Sequence, residues 1–372
     1  MRFLHTSDLH LGISLCENSL LPYQQKLPEL ICRAALDSGA DVVLLAGDIY
    51  DNVLTGAEAI AVYNRIMAKL CLEHGKTAVL CAGNHDGAAR LSACSELLRE
   101  AGLHIYGRVQ FPARPLELGG CDLYVLPYFN TDEIRAAFPD ASIKSYADAM
   151  ETILSSIRES WNPTRRNILM AHCFVTGGEL SESDTAARIG GASAVPAAAF
   201  HGFDYVALGH LHKPQTLGKN VRYSGTPLKY SFSEAGHTKS FTLFDSDDGT
   251  FAEIPIPQPL ELKILQDGYE ALLEAGEPDG PDTFYKIIMT DRFAGQETYS
   301  RLKERYPGLL QLQGRAVEAD GALPLTLEEV QGLSPIELVR RFYSDQTGAG
   351  IEEEQLRWFE AALESGEKEE RQ

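Results

Sequence analysis

The feature that most constrains this chain is a repeated pattern in which a short apolar run ends in side chains that can bind metal. In the first instance, Phe3 and Leu4 precede Asp8 and His10. On its own, an Asp-x-His pair is more often a surface turn than a pair of ligands. Four more apolar runs end in the same way, at Asp48, at Asn84-His85-Asp86, at His172 and at His210-Leu-His212. These runs are predicted to be strands whose carboxyl ends converge on one crevice, as in open α/β sheets.

The pattern supplies seven candidate ligands, which comprise two carboxylates, one amide oxygen and four imidazoles. They are Asp8, His10, Asp48, Asn84, His172, His210 and His212. Such a set suits first-row cations such as Mn, Fe or Zn and exceeds what one ion needs. Two ions that share one carboxylate would use all seven and could clamp a phosphoryl group. Any one of the histidines could instead be an ordinary core residue, but four at strand ends favour a site.

Hydrophobic periodicity predicts an α/β fold with two β-sheets packed together and helices outside. Helical spacing indicates helices over 27–36, 57–72 and 88–101. Later apolar runs crowd together and indicate strands over 123–126, 168–171, 205–208, 221–224 and 241–244. Helices that alternate with strands early, followed by crowded strands, are typical of layered sheets with helices on the outer faces.

A Gly- and Ser-rich stretch over 176–195 interrupts this succession of strands and helices shortly after His172. A long loop inside a compact domain is usually functional or disordered. Its position beside a candidate ligand predicts that it faces the substrate.

The remainder of the chain divides at the prolines 255, 257 and 259. Beyond them, strands over 262–265, 284–289 and 309–312 and helices over 269–274 and 298–305 predict a small α+β unit without a catalytic cluster. Ser334-Pro335 then begins a short helix. Two apolar stripes follow that could pack on the body or dock a partner, the first at Ile336, Val339 and Tyr343 and the second at Leu356, Phe359 and Leu363. The pattern favours docking, and the predicted domains are 1–256, 257–322 and 323–372.

Composition excludes some classes of protein. The 372 residues carry a net charge of -20, which argues against nonspecific polyanion binding by the chain alone. Seven cysteines without a C-x-x-C spacing predict reduced thiols in the cytoplasm. We expect neither a signal peptide, because the chain enters a strand at once, nor a membrane span, because no apolar run is long enough.

Together, these motifs resemble the calcineurin-like metallophosphoesterase superfamily in order and spacing. The matching motifs are Asp8-Leu-His10, Gly47-Asp48, Gly83-Asn-His-Asp86, His172 and Gly209-His-Leu-His212. Within the superfamily, the chain resembles the nuclease subunits of bacterial complexes that pair a nuclease with an ATPase. This finer resemblance lies in residues 5–12, 47–51, 177–178, 204–215, 223–234, 333–338 and 342–343.

The resemblance implies a role for each site residue and a metallophosphoesterase sandwich as the fold. Asp8, His10, Asp48 and His212 would hold one ion, and Asp48, Asn84, His172 and His210 would hold the other, with Asp48 bridging. His85 would assist the leaving 3′ oxygen or orient the phosphate, and Asp86 would support the turn that carries it. The ions would most often be manganese.

The resemblance also implies two-metal hydrolysis of DNA in repair, recombination and replication. The activities would be a 3′-to-5′ exonuclease on duplex DNA and an endonuclease on single-stranded or hairpin DNA. Residues 257–322 would form a capping domain that orients DNA. Residues 323–372 would dock on the coiled-coil base of an ATP-binding partner, with two copies of this subunit in a heterotetramer. The alternatives are a small-molecule phosphodiesterase or protein phosphatase with the same metal core, and a metal-free scaffold, which would be expected to have lost ligands.

Overall fold

The computed structural model describes residues 1–184, 194–276, 278–292, 294–315, 334–347, 350–352 and 355–359. The chain divides into two compact units. The first comprises 1–264 with 279–286, and the second comprises 265–278 with 287–372.

Short strands and helices alternate along the chain. The strands are β1 (Arg2–Thr6), β2 (Ser14–Leu15), β3 (Asn18–Ser19), β4 (Val42–Ala46), β5 (Thr77–Cys81), β6 (Leu103–Tyr106), β7 (Leu116–Leu118), β8 (Cys121–Leu126), β9 (Arg166–His172), β10 (Tyr205–Gly209), β11 (Gln215–Leu217), β12 (Val221–Tyr223), β13 (Ser240–Asp245), β14 (Thr250–Pro255), β15 (Glu261–Asp267), β16 (Thr283–Met289) and β17 (Leu309–Gln313). The helices are α1 (Leu21–Gln24), α2 (Leu27–Asp37), α3 (Ala57–Met67), α4 (Ala88–Leu91), α5 (Ser95–Leu98), α6 (Thr131–Ala137), α7 (Tyr146–Glu159), and those over Tyr269–Glu274, Gln296–Arg305 and Pro335–Thr347.

Two six-stranded sheets form the body of the first unit. Their strand orders are β14-β13-β1-β4-β5-β6 and β11-β12-β10-β9-β8-β7. Strands β1, β4, β5 and β6 run parallel in one sheet, and β8, β9, β10 and β12 run parallel in the other. Buried side chains from both sheets, such as Leu44, Val79 and Met170, form one core cluster. The predicted α/β fold with two packed sheets and helices outside is therefore confirmed.

Helix α7 packs on the second sheet, although the sequence analysis did not predict it. Its buried face includes Ile153 and Leu154 and joins the core that contains Leu169 and Val206. The helix begins with a capping box, in which the Ser145 hydroxyl accepts from the backbone N–H of the third helical residue. The signal was thus present in the sequence, as an N-cap followed by apolar residues at helical spacing.

The predicted helix over 88–101 is wrong as a continuous element. The chain forms α4 and α5 and then a 3₁₀ turn over Arg99–Ala101. Cys94, between the two α-helices, has a φ of 58°, in the left-handed region. A residue in that conformation ends the right-handed hydrogen-bonding pattern, so the apolar spacing continues but the helix does not.

The helix over Pro335–Thr347 starts as predicted. The Ser334 hydroxyl accepts from the backbone of Glu337, whose carboxylate accepts from the backbone of Ser334. Phe342 is 65% exposed on this helix. Leu356 and Phe359 of the second apolar stripe lie in the helical segment 355–359, and Leu363 lies outside the described residues. Among the described residues, no helix combines the length and apolar character needed to cross a membrane.

Candidate metal centre

All seven candidate ligands lie at the carboxyl ends of parallel strands. Asp8, His10, Asp48 and Asn84 follow β1, β4 and β5 of the first sheet. His172 is the last residue of β9, and His210 and His212 follow β10 in the second sheet. Because the two sheets pack face to face, the structure brings these residues together in two adjoining groups.

The first group contains Asp8, His10 and His212, all of them buried. The Nε2 atoms of His10 and His212 lie 3.1 Å apart. The carboxylate of Asp8 accepts the backbone N–H of His210 at 3.0 Å. This contact fixes the carboxylate beside the start of the segment that carries His212.

The second group contains Asp48, Asn84, His172 and His210. The Oδ1 atom of Asn84 lies 3.0 Å from Nε2 of His172 and 3.0 Å from Nδ1 of His210. His172 donates from Nδ1 to the carbonyl oxygen of Ala46, at 2.9 Å. Its Nε2 is therefore the nitrogen left to face Asn84 and Asp48.

Asp48 links the two groups. Its Oδ2 atom lies 3.3 Å from Nε2 of His172 and 3.8 Å from Nε2 of His10. Its Oδ1 atom accepts the backbone N–H of His85 at 2.8 Å. One carboxylate thus reaches the ligand atoms of both groups while it also holds the turn after β5.

Burial and neighbouring charges set the protonation of the site. Burial raises the pKa of Asp8, and repulsion from Asp48 adds to that rise. Burial also opposes ionisation of Asp48, but attraction to His172 outweighs it and leaves the pKa of Asp48 well below its ordinary value. Burial opposes the charge on His172, yet Asp48 raises the pKa of His172 to about 9. Burial and the adjacent His172 lower the pKa of His210 to about 3.

The backbone is strained at the ligands themselves. Four candidate ligands have φ angles in the left-handed region, namely Asp8 (53°), His10 (40°), Asp48 (49°) and His210 (107°). Non-glycine residues seldom adopt such angles, and each costs about 1–3 kcal/mol where it persists. Strain of this kind, repeated in one cluster, is typical of a functional site held in place by the surrounding fold.

Two glycines allow the strand ends to approach closely. A Cβ at Gly47 would lie 2.2 Å from Nδ1 of His172, and one at Gly83 would lie 2.1 Å from Oδ1 of Asp48. Any side chain at either position would therefore displace a candidate ligand. The Gly-Asp and Gly-Asn-His-Asp motifs require glycine for this reason.

The donor set fits divalent metal ions. Imidazole nitrogens and carboxylate oxygens converge within 4.8 Å in both groups. Lone pairs on His10 and His212 that face each other repel unless a cation or a proton lies between them. Nitrogen and oxygen donors of this mixture suit manganese, iron or zinc rather than magnesium.

His85 and Asp86 lie beside the two groups. The ring of His85 also converges with His10 and Asp51 in a third set of nitrogen and oxygen atoms that could hold a cation. The ring of His85 packs edge-on against His10, with ring centroids 4.8 Å apart. The carboxylate of Asp86 accepts backbone N–H groups from Ile49, Tyr50 and Gly83. Asp86 therefore supports the turn, as expected. Burial and the nearby Asp48 raise the pKa of Asp86 to about 6.

Two sets of residues around the site were given no role in the sequence analysis. The Oδ1 atom of Asp51 lies 3.6 Å from the Nδ1 atom of His10. Ser183, Asp184 and Glu234 surround His212. Asp51 and Glu234 end motifs that carry the family resemblance, which was the available signal. Their contacts with the histidines depend on the tertiary fold and were not visible in the sequence.

Comparison with known families identifies the family to which this chain belongs. Residues 1–214, more than half of the chain, match the calcineurin-like phosphoesterase family. The chain belongs to the calcineurin-like phosphoesterase family. Members of this metallophosphoesterase family are hydrolases that use divalent metal ions. Residues 258–347 match a second family, described as the type 5 capsule protein repressor C-terminal domain.

Relatives of this phosphoesterase extend over nearly its whole length. It is 28% identical to the D subunit of the nuclease SbcCD in Staphylococcus epidermidis, over 93% of this chain and 94% of the relative. It is also 28% identical to the protein of the same name in Staphylococcus saprophyticus, over 99% and 100%. A solved archaeal phosphodiesterase covers 69% of this chain and 100% of its own at 11% identity, with a TM-score of 0.31, too low to bear on function.

Proposed function

We propose that this phosphoesterase is the nuclease subunit of an SbcC–SbcD-type complex, and that it hydrolyses DNA phosphodiester bonds at a dinuclear metal centre. The observation that carries the proposal is the position of Asp48. Its Oδ2 atom lies within 4 Å of imidazole nitrogens from both ligand groups. A carboxylate placed in this way can bridge two ions.

The two groups divide the ligands between the ions. Asp8, His10 and His212 would hold one ion, Asn84, His172 and His210 would hold the other, and Asp48 would contribute to both. When bound, divalent ions, of which Mn²⁺ is the proposed one, would supply Lewis-acid polarisation of the phosphate and lower the pKa of a water towards neutrality. The protein contributes by fixing the donor atoms, with buried carboxylates and strained turns that leave the ligands little freedom.

His85 supplies the proton chemistry in this proposal. Nδ1 donates to the carbonyl oxygen of Asp51, and the backbone N–H is bound to Asp48. Both contacts anchor the ring and leave Nε2 for the substrate. A protonated His85 can then donate from Nε2 to a phosphate oxygen or to the departing 3′ oxygen.

The partner and the substrate follow from charge and from the C-terminal segment. A chain with net charge -20 is a poor DNA binder alone, so a partner and the metal ions must supply positive charge. Residues 323–372 dock on the SbcC ATPase, which binds ATP, and residues 257–322 form the capping domain over DNA. The exposed Phe342 and Trp358 support the docking role, and the family match over 258–347 supports a separate module that begins near 257.

The proposed activities are those implied by the family resemblance. They are a 3′-to-5′ exonuclease on duplex DNA and an endonuclease on single-stranded and hairpin DNA, in cytoplasmic DNA repair, recombination and replication. The assembly contains two copies of this subunit and two of SbcC.

The decisive test compares substrates and partners in one assay. The full chain with Mn²⁺ is given linear duplex DNA or the small diester bis-p-nitrophenyl phosphate, with and without its SbcC-type partner and ATP. We expect duplex DNA to be shortened from its 3′ ends, most efficiently with the partner. Asp48→Asn should abolish cleavage, and the exposed Asp37→Asn should not. Cleavage of the diester without cleavage of any DNA would instead indicate a small-molecule phosphodiesterase.

A further inference from the structure

The Gly- and Ser-rich stretch after β9 turns inward at its described end. Asp184 is buried, and its Oδ1 atom accepts the backbone N–H of His212 at 3.1 Å. The hydroxyl of Ser183 lies 2.8 Å from Nδ1 of His212. Ser183 and Asp184 therefore contact a candidate metal ligand on the side away from the other ligands, whereas the stretch as a whole was predicted to face substrate.

A buried ion pair holds Ser183 in place. The Ser183 hydroxyl lies 2.6 Å from Oε1 of Glu234, and Oε2 of Glu234 lies 2.5 Å from Nζ of Lys239. Lys239 also donates to the carbonyl oxygen of His212, at 2.9 Å. Glu234 and Lys239 are both essentially inaccessible to solvent, so this arrangement has little freedom to change.

Counting protons assigns the direction of each hydrogen bond. An ionised carboxylate accepts only, so the single hydroxyl proton of Ser183 goes to Glu234. Ser183 then has only lone pairs to offer His212, which must donate from Nδ1. The proton of the neutral imidazole is thereby placed on Nδ1, and the lone pair is placed on Nε2. Nε2 is the atom that faces His10, at 3.1 Å.

We propose that Ser183 is a positioning residue that holds His212 in the tautomer and orientation able to bind metal. Glu234 and Lys239 act through it by keeping the hydroxyl turned away from His212. The inference rests on the proposed metal centre and adds a residue that touches neither metal nor substrate. Removal of a hydrogen-bond partner behind a ligating histidine typically lowers the metal affinity by about 10–100-fold.

The chain offers its own matched control. Ser181 lies two residues earlier in the same stretch and is buried, and its hydroxyl has no hydrogen-bond partner among the residues that the structure describes. Removing this hydroxyl changes the local volume as much as removing the one on Ser183. The Ser181 substitution removes none of the hydrogen bonds made by His212.

The test measures Mn²⁺ binding to the full chain by calorimetry, for wild type, Ser183→Ala, Ser181→Ala and the isosteric pair Ser183→Thr and Ser183→Val. We expect Ser183→Ala and Ser183→Val to weaken one of two Mn²⁺ sites by about 10–100-fold. Ser181→Ala should match wild type, and Ser183→Thr should bind more tightly than Ser183→Val. The Thr–Val comparison keeps the volume constant, so it stays decisive if the alanine variant folds poorly.

Two results would overturn the inference in distinguishable ways. Equal Mn²⁺ affinity in Ser183→Thr and Ser183→Val, with two sites in wild type, would mean that the hydroxyl does not position His212. Failure of the wild-type chain to bind Mn²⁺ would contradict the proposed metal centre itself. Cleavage by Ser183→Val should also need a higher Mn²⁺ concentration and approach the wild-type rate at saturation, because no catalytic group has been removed.

Discussion

His85 donates from Nδ1 to the main-chain carbonyl oxygen of Asp51, at 2.7 Å. This bond ties the turn after β5 to the loop after β4 and fixes which ring nitrogen remains for chemistry. The ring is thus held next to both ligand groups, edge-on to His10.

The first prediction separates proton chemistry from metal binding. His85→Gln keeps much of the side-chain volume but cannot transfer a proton at neutral pH. We expect both metal ions and DNA affinity to be retained and single-turnover cleavage to fall by about 10²–10⁴-fold. His172→Gln should instead reduce metal occupancy. Metal stoichiometry, DNA affinity and single-turnover rates on both variants decide between the roles, and loss of a metal ion from His85→Gln would contradict the assignment.

The second prediction concerns the identity of the metal. Chelation followed by dialysis should abolish phosphodiester cleavage, and Mn²⁺ should restore it better than Mg²⁺. The reason is that four of the seven candidate ligands are imidazoles, which are poor partners for Mg²⁺. The measurement is the cleavage rate against the concentration of each ion. Full activity in excess chelator would remove the basis for a two-metal mechanism.

The third prediction concerns the C-terminal segment. Removal of residues 324–372 should leave Mn²⁺-dependent cleavage of simple substrates intact and sharply weaken binding to the SbcC-type ATPase. Phe342→Ala should weaken that binding in the full chain, because Phe342 is a largely exposed aromatic side chain of the kind that anchors interfaces. Arg341→Ala, beside it on the same helix, is the control. A truncated chain that captures the ATPase as well as the full chain does would refute the docking role.

The fourth prediction links His5 to the pH dependence of stability. The ring is fully buried between the hydroxyl of Tyr205 and the carbonyl oxygen of Leu208. Burial, with a smaller contribution from Arg222, lowers the pKa of His5 to about 3. The unfolded chain therefore binds a proton that the folded chain does not between about pH 3 and 6.5, so this contribution to stability is full above pH 6.5 and is lost as the pH falls.

Urea unfolding in chelator at pH 7.5 and pH 5 measures this contribution. Relative to His5→Gln, wild type should lose about 2 kcal/mol more of its free energy of unfolding between the two pH values. His5→Gln lowers stability at both pH values, but only the difference between them reports the titration. Equal losses in the two proteins would show that His5 titrates alike in the folded and unfolded states.

The ligand positions were predictable because their signal is local. An apolar run that ends in a small residue and a ligand defines a strand end, and strand ends of one parallel sheet meet at one edge. That logic places Asp48 near Asn84 at the edge of one sheet, and His172 near His210 at the edge of the other, from the sequence alone. Local patterning did not reveal that Cys94 interrupts a helix, because the apolar spacing continues past the left-handed residue.

The environment of His212 was not predictable for a different reason. Ser183 lies 29 residues before His212, and the other partner of Ser183, Glu234, lies 51 residues beyond Ser183. These contacts exist only after the two sheets are packed, and single side chains such as Ser183 carry no periodic signal. The same holds for Asp51, whose carbonyl group reaches His85 through backbone geometry rather than residue type.

Because the candidate ligands come from the strand ends of two sheets, the metal site can be completed only late in the synthesis of the chain. His10 and His212 lie 202 residues apart in the sequence, yet their nitrogens come within 3.1 Å of each other. During synthesis, the first three strands of this parallel array can leave the ribosome and pair long before the second sheet exists. At that stage they offer four of the seven candidate ligands. Completion of the proposed two-ion site must therefore wait until the chain has been made past β10, so a partly synthesised chain lacks a complete hydrolytic site.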